Sequence, residues 1–482
     1  MSGGETPHPP PFAPVAPAPP LAPAPPLASG PGGPEALRPL LATVLDALAA
    51  GRTARGGPLP AGGPDTVTAR VTTALGDALP DTGDPDALRT LVHTLAAGAA
   101  DPADPLCAAH LHCPPLAVAV AADLAASALN PSLDSWDQAP AASALEAAVA
   151  RALARTAGLA DALVTTGGTE SNQLALLLAR EAHGAGLRLV HGANAHHSLP
   201  RAAWLLGLPE PAVVPAPGGT LDPAALDHTL RTLPGPLLVA ATAGTTDAGL
   251  IDPLPEIAAR CAAHGARLHI DAAYGGGLLF SDRHRHRLTG LEAAHTVTLD
   301  LHKLGWQPAA AGLLAVARPG ELRTLHQRAD YLNAADDTEA GLPDLLDRSP
   351  RTTRRPDILK IAVTLRTLGR TGLGALVDQV CARARELAAR TAEDPRFELY
   401  GRPVISTVLF RPAGATDDAV AAVRRALLHQ GRAVLGRARL DGRLWLKATV
   451  LNPHTRPDDL AHLLDLVARA APVELAERST PG

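Results

Sequence analysis

His269-Ile270-Asp271-Ala272-Ala273-Tyr274-Gly275-Gly276, followed downstream by Asp300-Leu301-His302-Lys303, decides how this chain reads. Leu268 and Ile270 lead into Asp271, and Val297 and Leu299 lead into Asp300. Both runs are short and apolar and read as buried strands. In a parallel sheet two such ends open on one edge, where ligands of open α/β folds bind. A lysine that can form a Schiff base, with an acid for a pyridinium nitrogen, is what pyridoxal phosphate (PLP) requires. Taken singly, either residue is more often a solvated loop charge.

A third element upstream changes that balance. Leu163-Val164-Thr165-Thr166-Gly167-Gly168-Thr169-Glu170-Ser171-Asn172 reads as a strand, a glycine turn and then a helix from Gln173 to about Arg180. Glycines let the backbone approach a ligand, and the free N–H groups of a helix start favour a phosphate. Thr169 and Ser171 add hydroxyl donors, or serve as caps. The glycine turn, Asp271 and Lys303 in that chain order form a far more specific signal than any one of them.

Those stretches resemble the group II PLP-dependent amino-acid decarboxylases. Further matching runs are Leu111-His112-Cys113-Pro114-Pro115, Asn130 to Pro140, Asn194-Ala195-His196, Ala243-Gly244-Thr245-Thr246 and Thr352-Thr353-Arg354-Arg355. Together they span about residues 105–370. The run around Trp136 and the Thr-Thr-Arg-Arg run resemble the diaminobutyrate and bacterial lysine branch. The resemblance implies PLP-dependent transferase fold type I and a homodimer with a shared active site. It also implies roles: Lys303 as the Schiff-base lysine, Asp271 on the pyridine nitrogen, Ala273 against one ring face and His196 stacked on the other. Gly168, Thr169 and His302 would contact the phosphate, and Thr246 would lie near the ring hydroxyl. Lys303, His196 and Asp271 are the expected catalytic groups.

Length and composition fit a large α/β enzyme. The 482 residues can bury a sizeable core and divide into more than one domain. A net charge of −5 without a basic stripe argues against nucleic acid. No uncharged apolar run approaches the ~20 residues of a membrane span. Cys107, Cys113, Cys261 and Cys381 show no metal or redox spacing and read as reduced thiols of a cytoplasmic protein. No metal site is expected, because His110 and His112 lack a third ligand.

Residues 1–34 are rich in proline and alanine and are expected to be disordered, as is the tail 474–482. Residues 35–128 read as a helical N-terminal segment. Residues 129–372 alternate strands and helices as a doubly wound, mostly parallel sheet, and residues 373–473 read as a small C-terminal α/β domain. His284-Arg285-His286-Arg287 reads as a solvated surface stretch. Arg354 and Arg355 either pair with an anion or lead into the next helix.

Two features bear on the reaction. Asp134 and Asp137 could receive the distal ammonium of a basic substrate, which favours a diamino acid such as 2,4-diaminobutyrate, lysine or ornithine. Decarboxylation of an aromatic or acidic amino acid is the alternative, the aromatic one disfavoured by the few aromatics available to line a pocket. The aromatic decarboxylases carry a proton-delivering tyrosine on a mobile loop, but residues 336–349 contain none. Either His196 or water then supplies the proton, or the chain carries out another PLP reaction, such as aldehyde-forming oxidative decarboxylation or transamination.

Overall fold

The computed structural model describes residues 25–471. Most of the proline-rich arm and the expected tail lie outside them; the first described helix begins at Gly33. The strands are β1 (Cys107–Ala108), β2 (Asp161–Thr165), β3 (Arg188–Gly192), β4 (Ala212–Val214), β5 (Leu237–Thr242), β6 (Arg267–Ala272), β7 (Thr296–Asp300) and β8 (Gly312–Val316). They continue with β9 (Phe397–Leu399), β10 (Thr407–Pro412), β11 (Val434–Leu440) and β12 (Arg443–Thr449).

The large sheet runs β2-β8-β7-β6-β5-β3-β4. Helices cover both faces, and the side-chain period of two shows why. Leu238 and Ala240 of β5 pack with the helices Gly168–His183 and Ser198–Leu205, while Val239 and Ala241 join the opposite core with the helix Leu254–His264. Every residue of β5, β6 and β7 is buried. This is the doubly wound, mostly parallel sheet expected from the pattern. One strand departs from it: β8 runs antiparallel to both β7 and β2.

The second sheet runs β1-β11-β12-β10-β9. Its outer strand β1 comes from the helical N-terminal segment and pairs parallel with β11, so that segment is stitched into the small domain. The helix Ile358–Glu393 passes through the expected boundary at residue 372, interrupted nearby at Gly369, where φ is 64°. Tyr274, directly after β6, bonds the hydroxyls of Ser406 (2.8 Å) and Thr407 (3.0 Å) and so links the two sheets.

Two polar stretches take their places in this frame. Arg354 donates to both Glu146 oxygens at 2.9 Å and to the Leu133 carbonyl at 3.2 Å, all within the interior. Arg355 pairs with Asp123 and Asp357, which also flank the fully buried Lys360. Both arginines therefore meet carboxylates. His284, expected at the surface, is instead only 5% exposed. The short turn at 285–288 folds it against the long helix, with Nε2 3.7 Å from Asp378 Oδ1.

Removing one partner of the Arg354–Glu146 pair strands a buried charge. We expect Glu146→Ala to lower unfolding stability by about 3–5 kcal/mol, and paired apolar replacement of both residues to recover most of it, as measured by chemical denaturation.

Candidate active site

Parallel pairing of β6 with β7 sets Asp271 opposite Thr298 and brings Asp300 and the following turn to the same sheet edge. There a cavity of about 380 Å³ opens. All eight residues assigned from the sequence line it: Gly168, Thr169, His196, Thr246, Asp271, Ala273, His302 and Lys303. Thr166, Gly167, Thr242, Gly244, Tyr274, Asp300 and Leu111 complete the wall.

The floor is glycine for a steric reason. Gly167 has φ 155°, and a Cβ there would lie 2.9 Å from His302 Cε1. A Cβ on Gly168 would stand 3.1 Å from both Ala273 Cβ and Asp300 Oδ2. The helix that begins at Gly168 starts earlier than the pattern suggested, at the glycine rather than at Gln173. Glu170 explains this: its carboxylate accepts from the Thr166 backbone N–H (2.6 Å) and hydroxyl (2.8 Å), tying the first turn to the strand end. Ser171 is spent inside, bonded to Thr165 Oγ1 at 2.7 Å, whereas Thr169 stays in the cavity wall. The first N–H groups of such a helix have no partner within it and face an anion readily.

Lys303 projects from the short helix after β7, and its Nζ lies 2.9 Å from Asp300 Oδ2. Asp300 Oδ1 is buried and has no hydrogen-bond partner among the described residues. His302 accepts the Ala311 backbone N–H at Nδ1 (3.3 Å) and turns Nε2 to Asp300 Oδ2 at 3.5 Å. Burial holds its imidazole below the usual histidine range. Cys113 Sγ donates to the His302 carbonyl, and burial pushes this thiol up to about 12.

On the opposite side, Asp271 accepts from the Ala273 backbone N–H (3.0 Å) and from Asn172 Nδ2 (2.8 Å). Beneath it, His269 donates from Nε2 to Asn172 Oδ1 at 2.9 Å and accepts from Thr296 Oγ1 at Nδ1. Burial lowers His269 to about 4 against the opposing pull of Asp271. His196, not the exposed His197, lines the cavity, and burial lowers it as well. Thr246 sits in the wall at the turn closed by Thr245, and its carbonyl accepts from Lys447 Nζ at 2.8 Å.

Asp134 and Asp137 stand outside this chain's cavity wall. Asp134 Oδ1 accepts from Gln138 (2.7 Å), and Asp137 Oδ1 accepts from Ser135 (2.5 Å), within the same turn. Arg348 of the loop 336–349 docks on Asp161 and Arg351, just after it, on Glu170, each at 2.9 Å, and Tyr331 before that loop is 83% exposed. Asp300, Asn172, Ser198 and His269 took no role in the sequence reading. Asp300 and His269 each lie two or three residues from an assigned group in the same run.

The cavity fits PLP on its own features: a lysine amine, a facing carboxylate, a helix start, and glycines whose side chains would fill the space. His269 also gives a pH signature. Its imidazole is neutral in the fold and would titrate near 6.5 when unfolded, so the unfolded state binds more protons between those values. Its contribution, roughly 3 kcal/mol, is present above pH ~6.5 and lost as pH falls toward ~4. Denaturation at stepped pH should therefore show a shallower acid slope for His269→Gln than for the parent.

The family model described as "Pyridoxal-dependent decarboxylase conserved domain" matches residues 73–413. A protein of Rhizobium meliloti (strain 1021) named L-2,4-diaminobutyrate decarboxylase is 42% identical over 83% of this chain and 83% of its own length. One of that name from Acinetobacter baumannii is 33% identical over 75% of this chain and 79% of its own. The glutamate decarboxylase domain of a diaminobutyrate-pyruvate transaminase and L-2,4-diaminobutyrate decarboxylase from Vibrio parahaemolyticus superposes with a TM-score of 0.81 at 31% identity, covering 93% of this chain and 98% of that one. With the lysine, the carboxylate and the glycine turn converging on one cavity, the chain belongs to the pyridoxal-dependent decarboxylases and is a PLP-dependent carboxy-lyase.

Proposed function

We propose that this chain removes the α-carboxyl group of a short diamino acid, L-2,4-diaminobutyrate first, with ornithine and lysine as longer candidates. The observation that carries the substrate is the 42% identity over most of both chains to a protein named for that decarboxylation. PLP, when bound, supplies a ring that accepts the electron pair left as carbon dioxide departs.

The chain's residues take these parts. Lys303 Nζ would hold the cofactor through its amine. Asp271 would pair with the ring nitrogen and favour its protonated form. Ala273 and His196 would take the two ring faces. The N–H groups at Gly168 and Thr169, with His302, would receive the phosphate, and Thr246 would serve the ring hydroxyl. The Lys303 amine, 2.9 Å from Asp300 Oδ2, is placed to hold a proton at the cavity wall.

We further propose a homodimer. Leu40, Leu45 and Leu48 of the helix Gly33–Arg55, and Leu95 of the helix Ala87–Gly98, leave 46–65% of their surface exposed, more apolar area than a lone chain gains by exposing. A cytoplasmic setting is supported by four cysteines that are all free thiols.

The tyrosine-free loop favours one alternative, release of an aldehyde rather than an amine. Mass spectrometry of products from PLP-loaded protein with diaminobutyrate, ornithine, lysine, glutamate and tyrosine separates them. We expect 1,3-diaminopropane from diaminobutyrate, with Lys303→Ala silent. An aldehyde with ammonia, or no turnover of any diamino acid, would overturn the primary reading.

A further inference from the structure

Asn172 stands behind the cavity wall, fully buried, and its amide uses every hydrogen-bonding position it has. Nδ2 donates to Asp271 Oδ2 at 2.8 Å and to Ser198 Oγ at 2.9 Å. Oδ1 accepts from Thr298 Oγ1 at 2.8 Å and from His269 Nε2 at 2.9 Å. A flipped amide would turn its carbonyl toward the Asp271 carboxylate, so the orientation is fixed by its surroundings.

That orientation travels one bond further. Ser198 Oγ accepts from Asn172, which leaves its own hydrogen for His196 Nδ1, 2.8 Å away. The Ser198 backbone N–H points at the same nitrogen from 3.3 Å. Two donors on one ring nitrogen make it the lone-pair nitrogen, so the neutral ring carries its proton on Nε2. Among the described residues, Nε2 has no hydrogen-bond partner of its own.

We propose that Asn172 is a positioning residue for both groups, holding the Asp271 carboxylate directly and, through Ser198, fixing His196 as the Nε2–H tautomer that meets the substrate carboxylate. The advantage is one of charge. A cation at that place would stabilise the carboxylate before its loss more than the transition state in which its charge is leaving. A neutral N–H orients the carboxylate without that penalty. The inference rests on the decarboxylase reading for its purpose, but the tautomer itself does not.

The first test therefore needs neither cofactor nor substrate. In ¹⁵N-histidine NMR of the full chain, His196 is identified by the signal that His196→Gln removes. The expected spectrum has a protonated Nε2 and a bare Nδ1. Ser198→Ala, which keeps only the longer backbone bond, should admit the other tautomer to about a tenth of the population or more. A wild-type ring protonated at Nδ1, or a Ser198→Ala ring indistinguishable from the parent, would overturn the proposal. In the PLP-loaded enzyme, Asn172→Ala should lower kcat by about ten- to a hundred-fold while KM stays within about threefold. Equal loss through protein unfolding alone would move neither ratio per folded molecule. Product analysis decides the decarboxylase reading separately, so the two failures are distinguishable.

Discussion

The ladder between β6 and β7 is the constraint on which the site depends. It is parallel and fixed in register, with His269 opposite Thr296 and Asp271 opposite Thr298. These four polar residues share one face of the two strands, alternating with Leu268, Ile270, Val297 and Leu299 on the other. A slip of one residue would turn Ile270 and Ala272 toward Asn172 and bury the carboxylate against the apolar core. Burying polar groups in the middle of a sheet costs stability unless each finds a partner, and here the amide of Asn172 joins three of the four. Specificity of register and chemistry of the site are thus the same set of bonds.

Electrostatically the cavity has two unlike sides. At the Asp271 side, carboxylate, amide, hydroxyl and imidazole satisfy one another, and the imidazoles are held neutral by burial. At the Lys303 side, one amine leans on a carboxylate whose second oxygen has no partner among the described residues. The first arrangement is stiff because no member can move without orphaning another. The second is exchangeable: its lysine has a single strong tie, as a group that must change bonding partners requires. Tyr274 joins this pocket to the small domain, and burial pushes its phenol up to about 12, so it stays a neutral hydrogen-bonding strut.

The sheet edge was legible because its signals are local. Short apolar runs ending in Asp271 and Asp300, and glycines before a helix, carry their meaning within a dozen residues. All eight assigned residues consequently line one cavity. What sequence did not yield depends on contacts between distant segments. Asn172 lies 97 residues from His269 and 126 from Thr298, and nothing in its own neighbourhood announces either bond. The helix start was misplaced because Gly-Thr-Glu-Ser-Asn looks like a turn until the Glu170 carboxylate is seen to tie the first helical turn back to Thr166 at the strand end. His284 misled through its basic neighbours, since a turn packed on a distant helix buried it. Asp134 and Asp137 suggested a substrate contact by charge alone, and within this chain each accepts a hydrogen bond from its own turn rather than lining the cavity.

The reversed direction of β8 has a consequence for how the lysine is carried. Had β8 followed the common direction, the chain leaving β7 would have had to travel to the far edge of the sheet, a crossover of about a dozen residues or more. Because β8 runs back, residues 301–311 leave and re-enter at the same edge, pinned where the Leu301 N–H donates to the Ala311 carbonyl at 2.8 Å. The lysine therefore rides on a hairpin that forms part of the cavity wall. Leu301, Leu304, Trp306 and Ala311 anchor that hairpin in the core, and Trp306 Nε1 donates to the Leu451 carbonyl at 2.8 Å, so packing on both sides of the turn aims the amine and an exchange at Trp306 would disturb the lysine and the core together.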